Sequence, residues 1–168
     1  MYRVDDRDEV VELRGIPQPD PDAPCPAVVA NQAGVGLTYL TVGNRHQAGS
    51  DPKQNMAEEV ALIRFPTCIA HYFGPPNDES IAGHPLAERG LKPCGVFEVR
   101  QSSWIREAER YNTGRQALDA AWLLKYRHFV FAFHDELFEC IGSQIEIRET
   151  ALVSDAVVTE LARFVGEP

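Results

Sequence analysis

The chain has 168 residues, of which 44% are hydrophobic and 24% charged, which suits one domain with a core of its own. Its 16 Lys and Arg are outnumbered by 25 Asp and Glu, so the formal net charge is −9. A field of this sign repels the phosphates of nucleic acids and anionic membrane surfaces, and we therefore expect neither as a partner.

The cysteine pattern and the N-terminus predict a cytoplasmic protein. No apolar run approaches the roughly 20 residues of a membrane helix, and the start MYRVDDRDEV has neither the basic end nor the apolar stretch of a signal peptide. The four cysteines are widely spaced and form no C-x-x-C pair, although their even number leaves two disulfides open for an exported protein. We expect Cys68 and Cys140, which lie in apolar strand patterns, to be buried free thiols.

Residues 1–26 predict an N-terminal arm with a proline-rich connector, and residues 27–168 predict a single globular domain. Proline occupies nearly every second position from Pro17 to Pro26, which is typical of a stiff, extended segment. Within the arm, residues 10–13 favour a short edge strand over a mobile tail.

The first half of the domain is predicted to consist of strands separated by long loops. Residues 27–30 and 35–42 predict paired strands around a four-residue turn. Residues 43–59 predict an exposed loop, and residues 60–73 predict a strand in which Pro66 marks an edge or a bulge. Residues 74–93, punctuated by Gly and Pro, predict a long excursion before a further strand at 95–99.

Helical patterns follow in the second half. Ser102 or Ser103 is expected to cap a helix that runs to Tyr111, and a second pattern covers residues 116–124. A C-terminal amphipathic helix is predicted from Ser154, with one apolar face formed by Val157, Val158, Leu161, Phe164 and Val165. The order of elements has no βαβ alternation and predicts a single-domain α+β fold with a mainly antiparallel sheet and two to three helices. Whether the sheet stays open or curls into a barrel is not decided by the pattern.

The most informative stretch is a predicted hairpin at residues 126–149. Strand alternation places one set of side chains on an apolar face, namely Phe129, Phe131 and Phe133. The other face carries His128, Val130, Ala132 and His134. A turn at residues 135–136 would put His134 opposite Leu137 and Ala132 opposite Glu139, so that His134 and Glu139 become diagonal neighbours.

This polar face supplies the candidate catalytic residues His134, Asp135, Glu139 and His84. His134 is the expected proton-transfer residue or ligand, Glu139 its paired carboxylate, and Asp135 a second carboxylate. His84 lies between Gly83 and Pro85 and would join them if the 74–93 excursion folds over the hairpin, as would His71. The plainest alternative is that these histidines hydrogen-bond to backbone carbonyls and cap loops.

Well-specified motifs for other chemistry are missing. A metal site ranks last because the histidines have no tight ligand spacing such as H-x-H. There is no H-E-x-x-H, Walker or G-x-S-x-G motif, and Gly34-Val35-Gly36 lacks the third glycine of a dinucleotide loop. We therefore predict no metal and no cofactor.

Four groups of short segments resemble an uncharacterised family of bacterial proteins. They are HYFGPPNDE at 71–79, GHPL and RGL at 83–91, FEV and S-x-W-I at 97–105, and RHF, FHD and FEC at 127–140. The resemblance covers roughly the middle 80 residues. It implies a bacterial cytosolic origin and a shared site or core, and it implies no substrate.

Two functional hypotheses follow. The first is a small-molecule-binding protein, and further an enzyme with His/carboxylate acid–base chemistry, whose pocket lies between the 126–149 hairpin and the 74–93 loop. The second is a non-catalytic acidic interaction or regulatory module that binds a partner protein through its arm and loops. The sequence leaves the choice, the substrate and a homo-oligomeric state open.

Overall fold

The structure is a computed structural model that describes residues 2–42, 57–112 and 124–167. The described strands are β1 (Glu9–Glu12), β2 (Ala27–Asn31), β3 (Gly34–Leu40), β4 (Glu58–Phe65), β5 (Cys68–Gly74), β6 (Gly95–Arg100), β7 (Arg127–Ala132), β8 (Leu137–Gly142) and β9 (Glu146–Leu152). The described α-helices are α1 (Ser103–Asn112) and α2 (Ser154–Gly166). Most of the loop predicted at 43–59 and of the helix predicted at 116–124 lies outside the described residues.

The strands form two antiparallel sheets. Sheet I has the order β1-β6-β7-β8-β5, and sheet II has the order β2-β3-β4-β9. The predicted α+β class with antiparallel pairing and a C-terminal helix is confirmed, and the two sheets do not close into a barrel. The edge strand expected near residues 10–13 is also confirmed, because β1 pairs with β6 at one edge of sheet I.

The main core lies between the two sheets. Phe129, Phe131 and Phe133 of the hairpin are 0 to 2% exposed and pack against sheet II. The ring of Phe131 lies 5.9 Å from that of Tyr39 and 6.2 Å from that of Phe65, centroid to centroid. The aromatic face predicted from strand alternation is therefore the core face.

Helix α2 covers the outer face of sheet II. The side chains buried there are Leu161, Phe164 and Val165. Val158 was predicted on the same face, but it is 52% exposed, so that prediction is wrong. The contact with β3 depends on Gly36, because a Cβ atom at this position would collide with the side chains of Val165 and Leu161.

The outer face of sheet I is covered by three segments. The 74–93 excursion folds back across it through two short 3-10 helices, Asp78–Gly83 and Ala87–Arg89, and buries Leu86 completely. Asn77 starts this excursion as an Asx-type cap whose side chain accepts a hydrogen bond from the Ser80 N–H at 3.1 Å. The N-terminal residues and α1 complete the layer, so both faces of the hairpin are buried.

Two of the predicted strands are wrong in extent. Residues 60–73 are not one strand, because the chain leaves β4 at Phe65, passes Pro66 and Thr67, and enters β5 in the other sheet. The hairpin likewise ends at Gly142, after which the chain crosses to β9 in sheet II. In both places the chain turns a corner of the two-sheet stack, which strand propensity does not reveal.

The predicted register of the hairpin is also wrong by two residues. Ala132 lies opposite Leu137 and Val130 opposite Glu139, because the turn is formed by His134 and Asp135 rather than by residues 135–136. A shift of two keeps every side chain on its predicted face, since the side-chain period of a strand is two. It changes the diagonal neighbours, however, and brings His128 to Glu139.

No helix in the described part of the chain combines the length and the apolar composition needed to cross a membrane.

Candidate functional site

The candidate site is centred on Glu139, a carboxylate that β8 carries into the interior. Its side chain points to the outer face of sheet I, where Glu139 is only 1% exposed. Three hydrogen bonds reach its oxygens: Tyr2 at 2.7 Å and His128 at 2.8 Å on Oε2, and His84 at 3.1 Å on Oε1. A buried charge needs such partners, because an unpaired one is costly away from water.

His84 comes from the excursion, and its surroundings fix which nitrogen carries the proton. The Leu86 N–H donates to His84 Nδ1 at 3.2 Å, so Nδ1 acts as the acceptor. The proton of the neutral ring therefore sits on Nε2 and is donated to Glu139. The sequence predicted that His84 and Glu139 come together when the excursion covers the hairpin, and the structure places them in contact.

His128 comes from β7 and links Glu139 to the start of α1. Its Nε2 faces Glu139, and its Nδ1 lies 2.9 Å from Ser102 Oγ. Ser102 Oγ also accepts the Ile105 N–H at 3.3 Å, which makes Ser102 the cap of the helix. Ser102 Oγ therefore holds both the His128 ring and the first turn of α1, which is a structural role.

Tyr2 closes the site from the N-terminal side. Its hydroxyl donates to Glu139, and its ring stacks on Trp104 with centroids 5.0 Å apart and planes 8° apart. The His128 ring is nearly perpendicular to it, with centroids 5.3 Å apart. The rings of Trp104 and His128 also contact each other, with centroids 5.1 Å apart, so the three rings form one cluster with the polar end of Tyr2 on the carboxylate.

Acidic side chains fasten the segment that carries Tyr2 to α1. The Asp8 carboxylate accepts the Ser103 N–H at 2.6 Å, at the helix N-terminus where negative charge is favoured. Asp8 also accepts the Asp5 N–H at 2.9 Å, and Asp5 pairs with Arg106 at 2.7 Å. The position of Tyr2 is thus set by contacts at the start of α1.

The hydrogen bonds to Glu139 decide its charge. Burial opposes ionisation, but the hydrogen bonds from His128, His84 and Tyr2 outweigh it and lower the pKa of Glu139 to about 2. Burial and the neighbouring carboxylate raise the pKa of Tyr2, which stays a neutral donor. Glu139 is therefore a strong hydrogen-bond acceptor, while a general base is most effective when its pKa lies near the working pH.

The other predicted residues lie elsewhere. His134 is exposed at the hairpin turn, where its Nδ1 lies 2.7 Å from Asp78 and its carbonyl accepts the Asp78 N–H at 2.9 Å. The hydrogen bond to Asp78 raises the pKa of His134. Asp135 occupies the same turn and is exposed. His71 is exposed on β5, with its ring stacked 6.4 Å from Phe138, on the opposite face of the sheet from Glu139.

Sequence reasoning missed Tyr2, Ser102 and His128 as members of this cluster. A hairpin with a two-residue turn at His134–Asp135 would have made His128 the diagonal neighbour of Glu139, so the signal was present but was read in the wrong register. Ser102 was expected only as a helix cap. Nothing in the local pattern around Tyr2 indicates a partner 137 residues away.

A separate pocket of about 390 Å³ lies beside α2. Its walls are mostly small or apolar side chains, and it is lined by Ala23, Cys25, Ala27, Thr38, Tyr39, Leu40, Glu58, Val157 and Val158. The Thr38 hydroxyl is buried and has no hydrogen-bond partner among the described residues. This pocket is remote from Glu139, on the other side of sheet II.

Within residues 2–42, 57–112 and 124–167, no three His, Cys, Asp or Glu side chains are grouped as ligands for a metal ion. The chain matched no family model, no curated protein and no solved structure in the three comparisons.

Proposed function

We propose that this chain is a small-molecule-binding protein whose site lies between the hairpin and the 74–93 excursion, where Tyr2 now sits. The ligand class is a planar aromatic molecule with a hydroxyl or N–H donor. The observation that carries the proposal is the Tyr2 phenol, stacked on Trp104 and hydrogen-bonded to Glu139, because a ligand of this class would make the same contacts.

The chemistry of the site supports binding over proton transfer. Glu139 is held as an anion by its hydrogen-bond donors, and its lowered pKa makes it an acceptor for a ligand's proton-bearing group. The two histidine rings position the carboxylate through Nε2. Acid–base catalysis by this His/carboxylate set is a further proposal that would require the pKa of Glu139 to rise when Tyr2 leaves.

Tyr2 is a feasible lid because its net stabilisation is small. Burying the ring is worth about 1.5–3 kcal/mol, and a hydrogen bond to a charged group about as much. Ordering each residue of the segment that carries it costs about 1–2 kcal/mol. The state with Tyr2 displaced is therefore a minor population a few kcal/mol above the closed one, and a ligand's apparent affinity falls by the fraction that is open.

The test uses p-cresol, which reproduces the Tyr2 side chain, and toluene as a matched control without the hydroxyl. If p-cresol takes the site of Tyr2, the chain before Asp5 is released and trypsin cleaves at Arg3 faster. Toluene should have much less effect, since it cannot donate to Glu139. Equal cleavage with p-cresol, with toluene and without either would mean that Tyr2 is a fixed structural element and that the proposal is wrong.

The non-catalytic interaction module is the alternative. No contact in the described residues singles out a surface for a partner protein.

A further inference from the structure

Cys68 and Cys140 form a pair of free thiols on neighbouring strands of sheet I. Cys68 begins β5 and Cys140 lies within β8, and the two strands are hydrogen-bonded partners. Both side chains point into the core between the sheets, where Cys140 is buried and Cys68 packs against the same cluster. Cys68 lies opposite Gly142 and Cys140 opposite His71, so the two cysteines are diagonal neighbours on one face of the sheet. The Cys68 thiol donates to the Ala70 carbonyl oxygen at 3.1 Å.

The two thiols differ in access and in acidity. Cys68 is half-buried, and the hydrogen bond from Cys140 lowers its pKa despite its burial. Cys140 is fully enclosed, and burial raises its pKa. Since the thiolate is the reactive form, Cys68 is expected to react first with a reagent. Cys140 is then the resolving cysteine.

The backbone around Cys68 can adjust to a shorter sulfur–sulfur distance. A disulfide needs Cβ atoms about 3.5–4.5 Å apart, which is closer than the roughly 7–8 Å between diagonal neighbours of a regular ladder. β5 is an edge strand, and its pairing with β8 shifts at a bulge between Cys68 and Ala70. Movement there disturbs one neighbour strand only, whereas Cys140 stays fixed in a central strand.

We propose that Cys68 and Cys140 are a redox-active dithiol that low-molecular-mass disulfides convert to an intramolecular disulfide. The Cys68 thiolate attacks one sulfur of the small disulfide, forms a mixed disulfide and expels one small thiolate. Cys140 then loses its proton and attacks the Cys68 sulfur, and the second small thiolate leaves. Two protein thiols are oxidised and one small disulfide is reduced to two thiols.

This site is independent of the proposed ligand site. Cys140 and Glu139 are consecutive residues of β8 and therefore point to opposite faces of sheet I. Failure of one proposal leaves the other standing, because the first is read by thiol mapping and the second by ligand-dependent cleavage.

The experiment treats the full chain with oxidised glutathione, blocks the remaining thiols and maps each cysteine by peptide mass analysis. In the native chain we expect a Cys68–Cys140 disulfide with little glutathione retained at Cys68, since the second step is intramolecular and joins neighbours on one face of the sheet. In Cys140→Ala the glutathione should persist on Cys68. In Cys68→Ala the buried Cys140 should stay reduced. Exposed Cys25 serves as an internal control, because its modification shows that the reagent reaches an accessible thiol.

Two results would overturn the proposal: glutathione that stays on Cys68 in the native chain as fully as in Cys140→Ala, or a Cys68 that stays reduced while Cys25 is modified. If Cys140→Ala does not fold, peptide mapping of the native chain decides alone, because glutathione that stays on Cys68 there already contradicts the proposal.

Discussion

The two faces of the β7–β8 hairpin are both buried, but they are held by different kinds of interaction. One face presents Phe129 and Phe131 to sheet II, where apolar contact is non-directional and shared among many rings. The other presents His128 and Glu139 to a closed set of hydrogen bonds whose partners lie as far as 137 residues away in sequence. The first face needs volume and hydrophobicity, while the second needs every donor and acceptor in place.

A substitution in the apolar face should cause the largest loss of stability. Phe131→Ala is expected to lower the free energy of unfolding by about 3–5 kcal/mol, because truncation of a fully buried ring leaves a cavity. Urea or thermal unfolding measures this directly. Val158→Ala, at an exposed position of α2, is the control, and a loss as small for Phe131→Ala as for Val158→Ala would mean that the Phe face is not the core.

A substitution in the polar face should cause the second largest loss of stability. Glu139→Gln keeps the size of the side chain but removes one acceptor oxygen and points an N–H₂ group at donors that already face it, at an expected cost of about 2–4 kcal/mol. Glu149→Gln, on an exposed part of β9, is the matched control and should change the unfolding free energy little. Equal stability of the two variants would contradict the hydrogen-bond network around Glu139.

Acid should reveal the same difference between the faces. The pKa of Glu139 is about 2 in the folded protein, below its ordinary value near 4.5, so the folded state binds fewer protons there than the unfolded state. The stability that the carboxylate contributes is therefore complete above about pH 4.5 and is lost as the pH falls toward 2. Between pH 6 and pH 2, the free energy of unfolding should fall more steeply for the native chain than for Glu139→Gln. The same pH dependence in both chains would contradict an ionised Glu139 in the folded state.

The smallest effect is expected at the hairpin turn. His134→Ala removes an exposed pair with Asp78, and solvent-exposed pairs contribute little to the free energy of unfolding. Because Asp78 raises the pKa of His134, this small contribution is present at low pH and is lost as the pH rises through that raised pKa. A loss comparable to that of Glu139→Gln would show that His134, and not His128, belongs to the essential network.

The contrast between the faces explains what the sequence could predict. Strand alternation identified the Phe face, the edge strand β1 and the order of elements, because burial leaves a periodic trace in the chain. It also brought His84 and Glu139 together, since a long loop beside a hairpin tends to cover it. The placement of His134 beside Glu139 failed because one position of the turn decides which residues become diagonal neighbours.

The remaining parts of the site leave no local trace. Tyr2 reaches Glu139 only because Asp8 fastens the N-terminal segment to the start of α1, and that contact joins residues 95 positions apart. The corner at Pro66, where the chain passes from one sheet to the other, depends likewise on how the sheets pack and not on local propensity.

The most direct test of the proposed site is the affinity for p-cresol of the native chain and of Tyr2→Phe, measured by calorimetry. Tyr2→Phe keeps the ring on Trp104 but removes its hydrogen bond to Glu139, so the lid is weakened without opening a cavity. A loss of about 1.4 kcal/mol from the lid predicts roughly tenfold tighter binding of p-cresol to the variant. Affinity that is the same for both chains, or binding to neither, would contradict the competition between Tyr2 and a ligand for Glu139.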